Sequence, residues 1–160
     1  MEAKPQPQHQ WLVDKLVGSW NFESECSMGP DQTPTKFSGT LETRSIGGMW
    51  IVGEGKGDMP DGGFGETIIS LGFDIKQQRF VGSFIGSMMD FMWIYNGSLD
   101  EAKKVLTLDT DGPSFTGEGS AKYQDIITWI DDDHHVLRSQ VQGDDGTWTQ
   151  VVEMRYSRRK

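Results

Sequence analysis

The run Trp20-Asn21-Phe22-Glu23-Ser24-Glu25-Cys26-Ser27-Met28 decides the fold. Trp20, Phe22, Ser24, Cys26 and Met28 fall on one side, and Asn21, Glu23, Glu25 and Ser27 on the other. One dry face and one wet face repeating every two residues is the signature of a strand in a sheet covered on one side. Phe37, Gly39, Leu41 and Thr43 repeat the pattern against Lys36, Ser38, Thr40, Glu42 and Arg44. Further runs cover residues 50–55, 67–74, 80–86, 91–99, 105–111, 122–130, 136–142 and 147–156, which makes ten candidate strands.

The segments between these runs are short and polar: Asp74-Ile75-Lys76-Gln77-Gln78, Asp100-Glu101-Ala102-Lys103-Lys104, Asp131-Asp132-Asp133-His134 and Gly143-Asp144-Asp145-Gly146. Asp and Gly suit tight turns, and a parallel crossover would need a dozen residues or more, so the strands form an antiparallel meander. Asn96-Gly97 resembles a hairpin turn, but the acidic turn after Leu99 is the better hinge, which leaves Gly97 inside a strand at a bend or close approach. An open meander of this length would expose two long edges, and closure removes them. Strand glycines 39, 53, 55, 72, 82, 86 and 97 suit the corners of a strongly curved sheet. The expected fold is therefore all-β, an antiparallel meander closed into a β-barrel. Upstream, Trp11, Leu12, Lys15 and Leu16 have helical spacing and Gly18 stands where a helix would stop, giving one short helix placed to plug a barrel end. Residues 1–8, polar with two prolines, read as a flexible leader, and 9–160 as a single domain.

The chain has 160 residues, 35% hydrophobic and 11% aromatic, enough for a core without disulfides. Fifteen Lys and Arg against 24 Asp and Glu give a formal charge of −9, the wrong sign for a nucleic-acid partner. The basic cluster Arg155, Arg158, Arg159 and Lys160 reads as a solvated tail. No apolar stretch is long enough for a spanning helix and no secretory h-region opens the chain, so the expected compartment is the cytoplasm. Cys26, alone, reads as a small buried hydrophobe.

Catalytic signatures are absent. Gly86-Ser87 lacks a nucleophile elbow, His9 lies by the leader, and His134 and His135 adjoin an acidic turn. No His-x-His, Cys-x-x-Cys or Glu-x-x-His spacing occurs, so neither a metal nor a cofactor is implied, and Asp131, Asp132, Asp133 and His134 are explained by a hairpin turn. Gly53-Glu54-Gly55-Lys56-Gly57 and Gly62-Gly63-Phe64-Gly65 do not sit between a parallel strand and a helix, as a phosphate loop requires. Segment 56–66 reads as a mobile connection, long enough to form a lid.

The binding signal is Ser87-Met88-Met89-Asp90-Phe91-Met92-Trp93, at a barrel mouth where a loop would ordinarily be polar. Packing against the barrel end is the alternative. With Tyr95 following on the next strand, Met88, Met89 and Trp93 are candidate ligand-binding residues. Trp50 and Glu54 share one strand face, as do Tyr123, Asp125, Ile127 and Trp129. If those faces point inward, the cavity joins aromatic walls to carboxylates, each needing a partner there. Strand parity alone leaves open which face is inside. Three readings follow: a barrel holding a small, largely apolar molecule; an enzyme with Glu54 or Asp125 as general base; and a ligand-free interaction module, such as a homodimer.

Gly18-Ser19-Trp20 resembles the Gly-x-Trp signature of the calycins, the superfamily of lipocalins, fatty-acid-binding proteins and nitrobindins. The resemblance implies that Trp20 covers the closed end, that Gly18 opens the first strand beside it, and that a late arginine, here Arg155, packs across the indole. Its nitrobindin branch implies one further reading, a haem barrel with His134 or His135 as axial ligand. The stretches Met28-Gly29-Pro30-Asp31-Gln32, Gly47-Gly48-Met49-Trp50, residues 80–89 and residues 106–115 resemble a bacterial family catalogued as domain of unknown function 1579, over residues 9 to 157. That resemblance supports the fold and carries over no catalytic residue.

Overall fold

The protein is described by a computed structural model over residues 3–26, 35–59 and 62–160. Helix α1 (Pro7–Leu16) is followed by strands β1 (Gly18–Cys26), β2 (Thr35–Ile46), β3 (Trp50–Asp58), β4 (Phe64–Asp74), β5 (Arg79–Gly86), β6 (Trp93–Leu99), β7 (Val105–Pro113), β8 (Ser120–Asp131), β9 (His134–Gln142) and β10 (Trp148–Arg158). Each strand pairs antiparallel with its neighbours in sequence, and β1 pairs with β10 from Trp20↔Arg158 to Cys26↔Val152, which closes the barrel. No helix is long and apolar enough to cross a membrane among the described residues.

Several boundaries move. The helix starts at Pro7, inside the expected leader, because proline at the first turn is pre-set for helical φ and lacks only an N–H the helix would not use. His9 then folds back rather than trailing in solvent: its Nδ1 accepts from the Gln6 N–H at 2.9 Å and its Nε2 donates to the Phe73 carbonyl at 3.0 Å. Accepting at one nitrogen and donating at the other fixes a neutral ring as a strut between α1 and β4. The segment expected over 56–66 as a long connection is mostly strand, since pairing runs through Lys56↔Glu66 to Asp58↔Phe64. Strand β6 starts at Trp93 and carries Asn96 and Gly97 within it, where a Cβ on Gly97 would run into Leu108 and the Thr107 carbonyl. Met28, and with it the stretch 28–32, lies outside the described residues.

Helix α1 lies across one end of the barrel. Trp11, Leu12 and Leu16 join Ile51, Leu71, Phe73, Phe80, Leu106, Leu108 and Ile127 in one buried cluster, and the Trp11 indole donates to the Lys103 carbonyl at 2.8 Å. Trp20 is fully buried beside it, its Nε1 donating to the Leu16 carbonyl at 3.0 Å. The arginine across that indole is Arg158, with its guanidinium carbon 4.2 Å from the ring centroid, and not Arg155. Parity is the reason. Trp20 pairs with Arg158, and positions three apart on a strand face opposite ways, so Arg155 points to solvent and pairs with Glu153 at 2.9 Å. Gly18 has φ +140°, and a Cβ there would collide with the Arg158 guanidinium, so the cap needs glycine on both counts.

Candidate functional site

The registers fix which side chains look inward. Along β1 they are Trp20, Phe22 and Ser24; the pairing carries this parity to Leu41, then Gly55, Thr67 and Gly86, and through β5 and β6 to Tyr95. Continuing round, Thr110, Tyr123, Asp125, Ser139, Val152 and Met154 also face the interior.

Exposure along the inner wall divides the barrel. Toward α1 the inward side chains are sealed: Ile51 and Leu71 at 2% and 1%, Leu106 and Leu108 at 0%. Toward the other end Phe37, Leu41, Trp93, Val141, Val152 and Met154 face inward and are only half-buried, as are Ile69, Phe84 and Leu137, which pack against the cluster at the α1 end. This half of the barrel, the cup, is therefore the less tightly covered one, and it rests on the packed half. Glycine lets the strands and their neighbours close up here: Gly53, Gly55 and Gly57 take inward positions of β3, and a Cβ on them would run into Ile69 and Thr43, the Thr67 hydroxyl and the Ser38 carbonyl respectively.

At the level where packing gives way to space stands Asp125. It accepts a hydrogen bond from the Tyr95 hydroxyl on one oxygen and from the Ser139 hydroxyl on the other. Burial raises its pKa above the usual carboxylate range, with the Ser139 and Tyr95 hydrogen bonds pulling the other way. Burial and the neighbouring carboxyl push the Tyr95 phenol well upward in turn. Tyr156 is likewise raised, first by burial and then by Asp125. Two further inward hydroxyls, Ser24 at 2% and Thr110 at 8% exposure, have no hydrogen-bond partner.

The mouth carries the methionine and aromatic cluster. The Trp93 Nε1 donates to the Met89 sulfur at 3.1 Å, and rings stack edge to face from Phe91 to Trp93 at 5.0 Å and from Trp93 to Tyr123 at 4.8 Å. Phe115 extends the series to Tyr123 at 5.9 Å, and the Tyr123 hydroxyl donates to the Pro113 carbonyl. Met88, Met92 and Phe115 are the cluster's exposed members, at 43%, 52% and 51%. A Cβ on Gly112 would occupy the place of the Trp93 ring, so this glycine lets the indole lie flat on β7.

Of the residues expected to line a cavity, Trp93, Tyr123 and Met89 meet in this half with Met88 at its rim, while Tyr95, buried in the packed cluster, reaches the border only through its hydroxyl on Asp125. Trp50 and Glu54 are corrections: they stand on the outer wall, because Ile51, Gly53 and Gly55 take the inward positions of β3, and Trp50 instead covers Gly72 from outside. That removes Glu54 as an interior base. Trp129 faces inward at the α1 end, under the Lys15 ammonium at 4.2 Å, in the packed half. Histidine 134 is on the surface, bonded to Asp131 at 2.8 Å. His135 is 4% exposed, wedged between a stacked Tyr156 ring at 4.5 Å and the Trp20 ring at 4.4 Å. Neither histidine serves the open half. Among the described residues no group of three His, Cys, Asp or Glu is placed to hold a metal ion. A separate cleft of about 460 Å³ runs along α1 past Trp11, Leu99 and Lys103; it borders the packed end and does not enter the cup.

Ser139, Tyr156, Thr110 and Val152 were missed by sequence reasoning. Parity along 135–141 could have put Ser139 beside Leu137 and Val141, but nothing local marks a serine as the partner of a carboxyl on the adjacent strand.

The chain belongs to the family described as protein of unknown function DUF1579, which it matches over residues 4–158. No curated protein matches it. Among solved structures it is similar to Rv2717c from M. tuberculosis, with a TM-score of 0.68 at 14% identity, covering 98% of this chain and 100% of that one. It is also similar to a de novo designed fluorescence-activating β-barrel, with a TM-score of 0.51 at 15% identity, covering 92% of this chain and 97% of that one. At such identities the likeness is one of fold.

Proposed function

We propose that the open half of the barrel binds one small, largely apolar molecule, its body against Phe84, Trp93 and Met154 and its polar end toward Asp125. The observation that carries this is the inner wall itself: apolar side chains that face inward yet are only half-buried, above a sealed floor bordered by one carboxyl. Apolar walls around a few convergent polar groups are what small-molecule sites share. The methionines at the rim adapt to varied shapes. The designed barrel similar to this one is described as fluorescence-activating, which is in keeping with a barrel of this architecture taking a small molecule.

The test is titration with a neutral, environment-sensitive fluorophore such as N-phenyl-1-naphthylamine. Saturable enhancement at one site is expected. Val152→Trp, which fills the cup from β10, should weaken it by about tenfold or more, the effect of losing roughly 1.4 kcal/mol of contact. Trp50→Ala, on the outer wall, should leave it unchanged. Equal affinity in wild type and Val152→Trp would place the fluorophore elsewhere and end this reading.

A further inference from the structure

The charge inside the cup has one sign. Among the described inward positions of that half, Asp125 is the only carboxyl and no lysine or arginine accompanies it. The inward arginine nearest the interior, Arg158, is committed to the closed end: its guanidinium lies on Trp20 and donates to the Val17 carbonyl at 3.0 Å and the Asp132 carbonyl at 2.8 Å. Lys36, Lys56 and Lys122 stand on strand ends near the mouth, but their parity turns them outward. The described loops at the mouth add Asp90, Glu118, Asp144 and Asp145 and contain no lysine or arginine.

Those facts restrict the guest. A carboxylate-bearing molecule would bring a second negative charge beside Asp125 with no cation to receive it, and an unpaired buried charge is costly. An ammonium solves the same problem from the other side. Each Asp125 oxygen accepts one hydrogen bond from the protein, which leaves lone pairs for an N–H donor. The unpartnered hydroxyls of Ser24 and Thr110 are sealed within the same inner wall and add no charge to it. The faces of Trp93 and Tyr123 suit a cation passing the mouth.

We infer that the cup selects lipophilic amines, the ammonium seated on the Asp125 carboxylate, and rejects the matching carboxylates. This rests on the cup being the binding site proposed above. A series with one apolar body separates the two ideas: 2-naphthylmethylamine, 2-naphthalenemethanol and 2-naphthoate, each competed at neutral pH against the neutral fluorophore. The amine should bind about tenfold or more tightly than the alcohol, and the naphthoate more weakly than the alcohol, as a charge-assisted hydrogen bond gained or a repulsion incurred would give. Asp125→Asn should erase the amine's advantage and leave the alcohol's affinity within a few-fold. Should that variant fail to fold, the ranking of the three compounds on the wild type decides alone. An alcohol that binds with no gain for the amine, or a naphthoate that equals it, overturns the inference while the cup stands as the site. Fluorophore and all three compounds failing together overturns both.

Discussion

His135 shows how a single buried group sets a response to acid. Its ring is enclosed by Trp20 and Tyr156, its Nδ1 has no partner, and burial, helped by the Arg158 charge, lowers its pKa from 6.5 to about 3. The folded protein therefore holds the neutral ring while the unfolded chain takes up a proton near pH 6.5. Stability from this residue is complete above that value and is lost as pH falls from 6.5 toward 3, by about 1.4 kcal/mol per unit. Asp125 runs the opposite way: with its pKa raised, its contribution grows as pH falls, so only a comparison with a variant isolates the histidine. His135→Phe keeps the ring stack and removes the orphaned nitrogen. Urea denaturation at pH 7.5 and pH 5 should show the wild type losing roughly 2 kcal/mol more than the variant between the two. Parallel losses would mean that the ring is protonated without cost inside the fold. Position 135 was legible only as one of two histidines beside an acidic turn. Its inward parity follows from Trp129↔His135, just before a register shift that no hydropathy pattern marks.

At the scale of elements, α1 and β3 divide the labour. The helix was legible from the spacing of Trp11, Leu12 and Leu16, and those residues are what seal the end. Leu12 is 1% exposed, so Leu12→Ala leaves a cavity between helix and barrel and should cost about 2–5 kcal/mol in a urea titration. Because the cup lies beyond the packed belt, fluorophore affinity at low denaturant should stay within a few-fold of wild type. A large loss of affinity with little loss of stability would make the helix part of the site. Strand β3 explains what remained hidden. Its larger residues Trp50, Val52, Glu54 and Lys56 face out, while Gly53, Gly55 and Gly57 face in. Ordinary amphipathic reasoning assigns the bulky face to the interior, as it does correctly for Trp20 and Phe22. Here glycine faces in because Ile69, Thr67 and Phe22 from other strands already occupy the place a side chain would take, so the rule gives the wrong face for Trp50 and Glu54. Arg155 and Arg158 failed on the same point of parity, since a tail with several basic residues offers more than one candidate and only pairing with β1 selects among them.

For the whole molecule, closure and strand order were legible because connections of a few residues permit little besides an antiparallel meander. Which half is the less tightly packed was not, since it depends on where small and large side chains fall in one layer once the strands pair. The same closure turns the net charge of −9 into a pattern. The end sealed by α1 mixes both signs, Asp100, Glu101, Asp131, Asp132 and Asp133 standing with Lys15, Lys103, Lys104 and Arg158, whereas the described loops round the opening carry Asp90, Glu118, Asp144 and Asp145 alone. A mouth of one sign above a low-dielectric cup focuses its field on whatever enters, and salt screens such steering over roughly 10 Å at 0.1 M. If the guest is an ammonium, the rim should hasten its arrival. Stopped-flow association of 2-naphthylmethylamine should slow several-fold between about 20 mM and 500 mM salt, with 2-naphthalenemethanol unaffected, as screened steering of a charge requires. Dissociation should change less, because the contact with Asp125 is buried and screened weakly. Equal and flat association rates for both compounds would confine the selection to Asp125 and leave the acidic loops with no part in it beyond solubility.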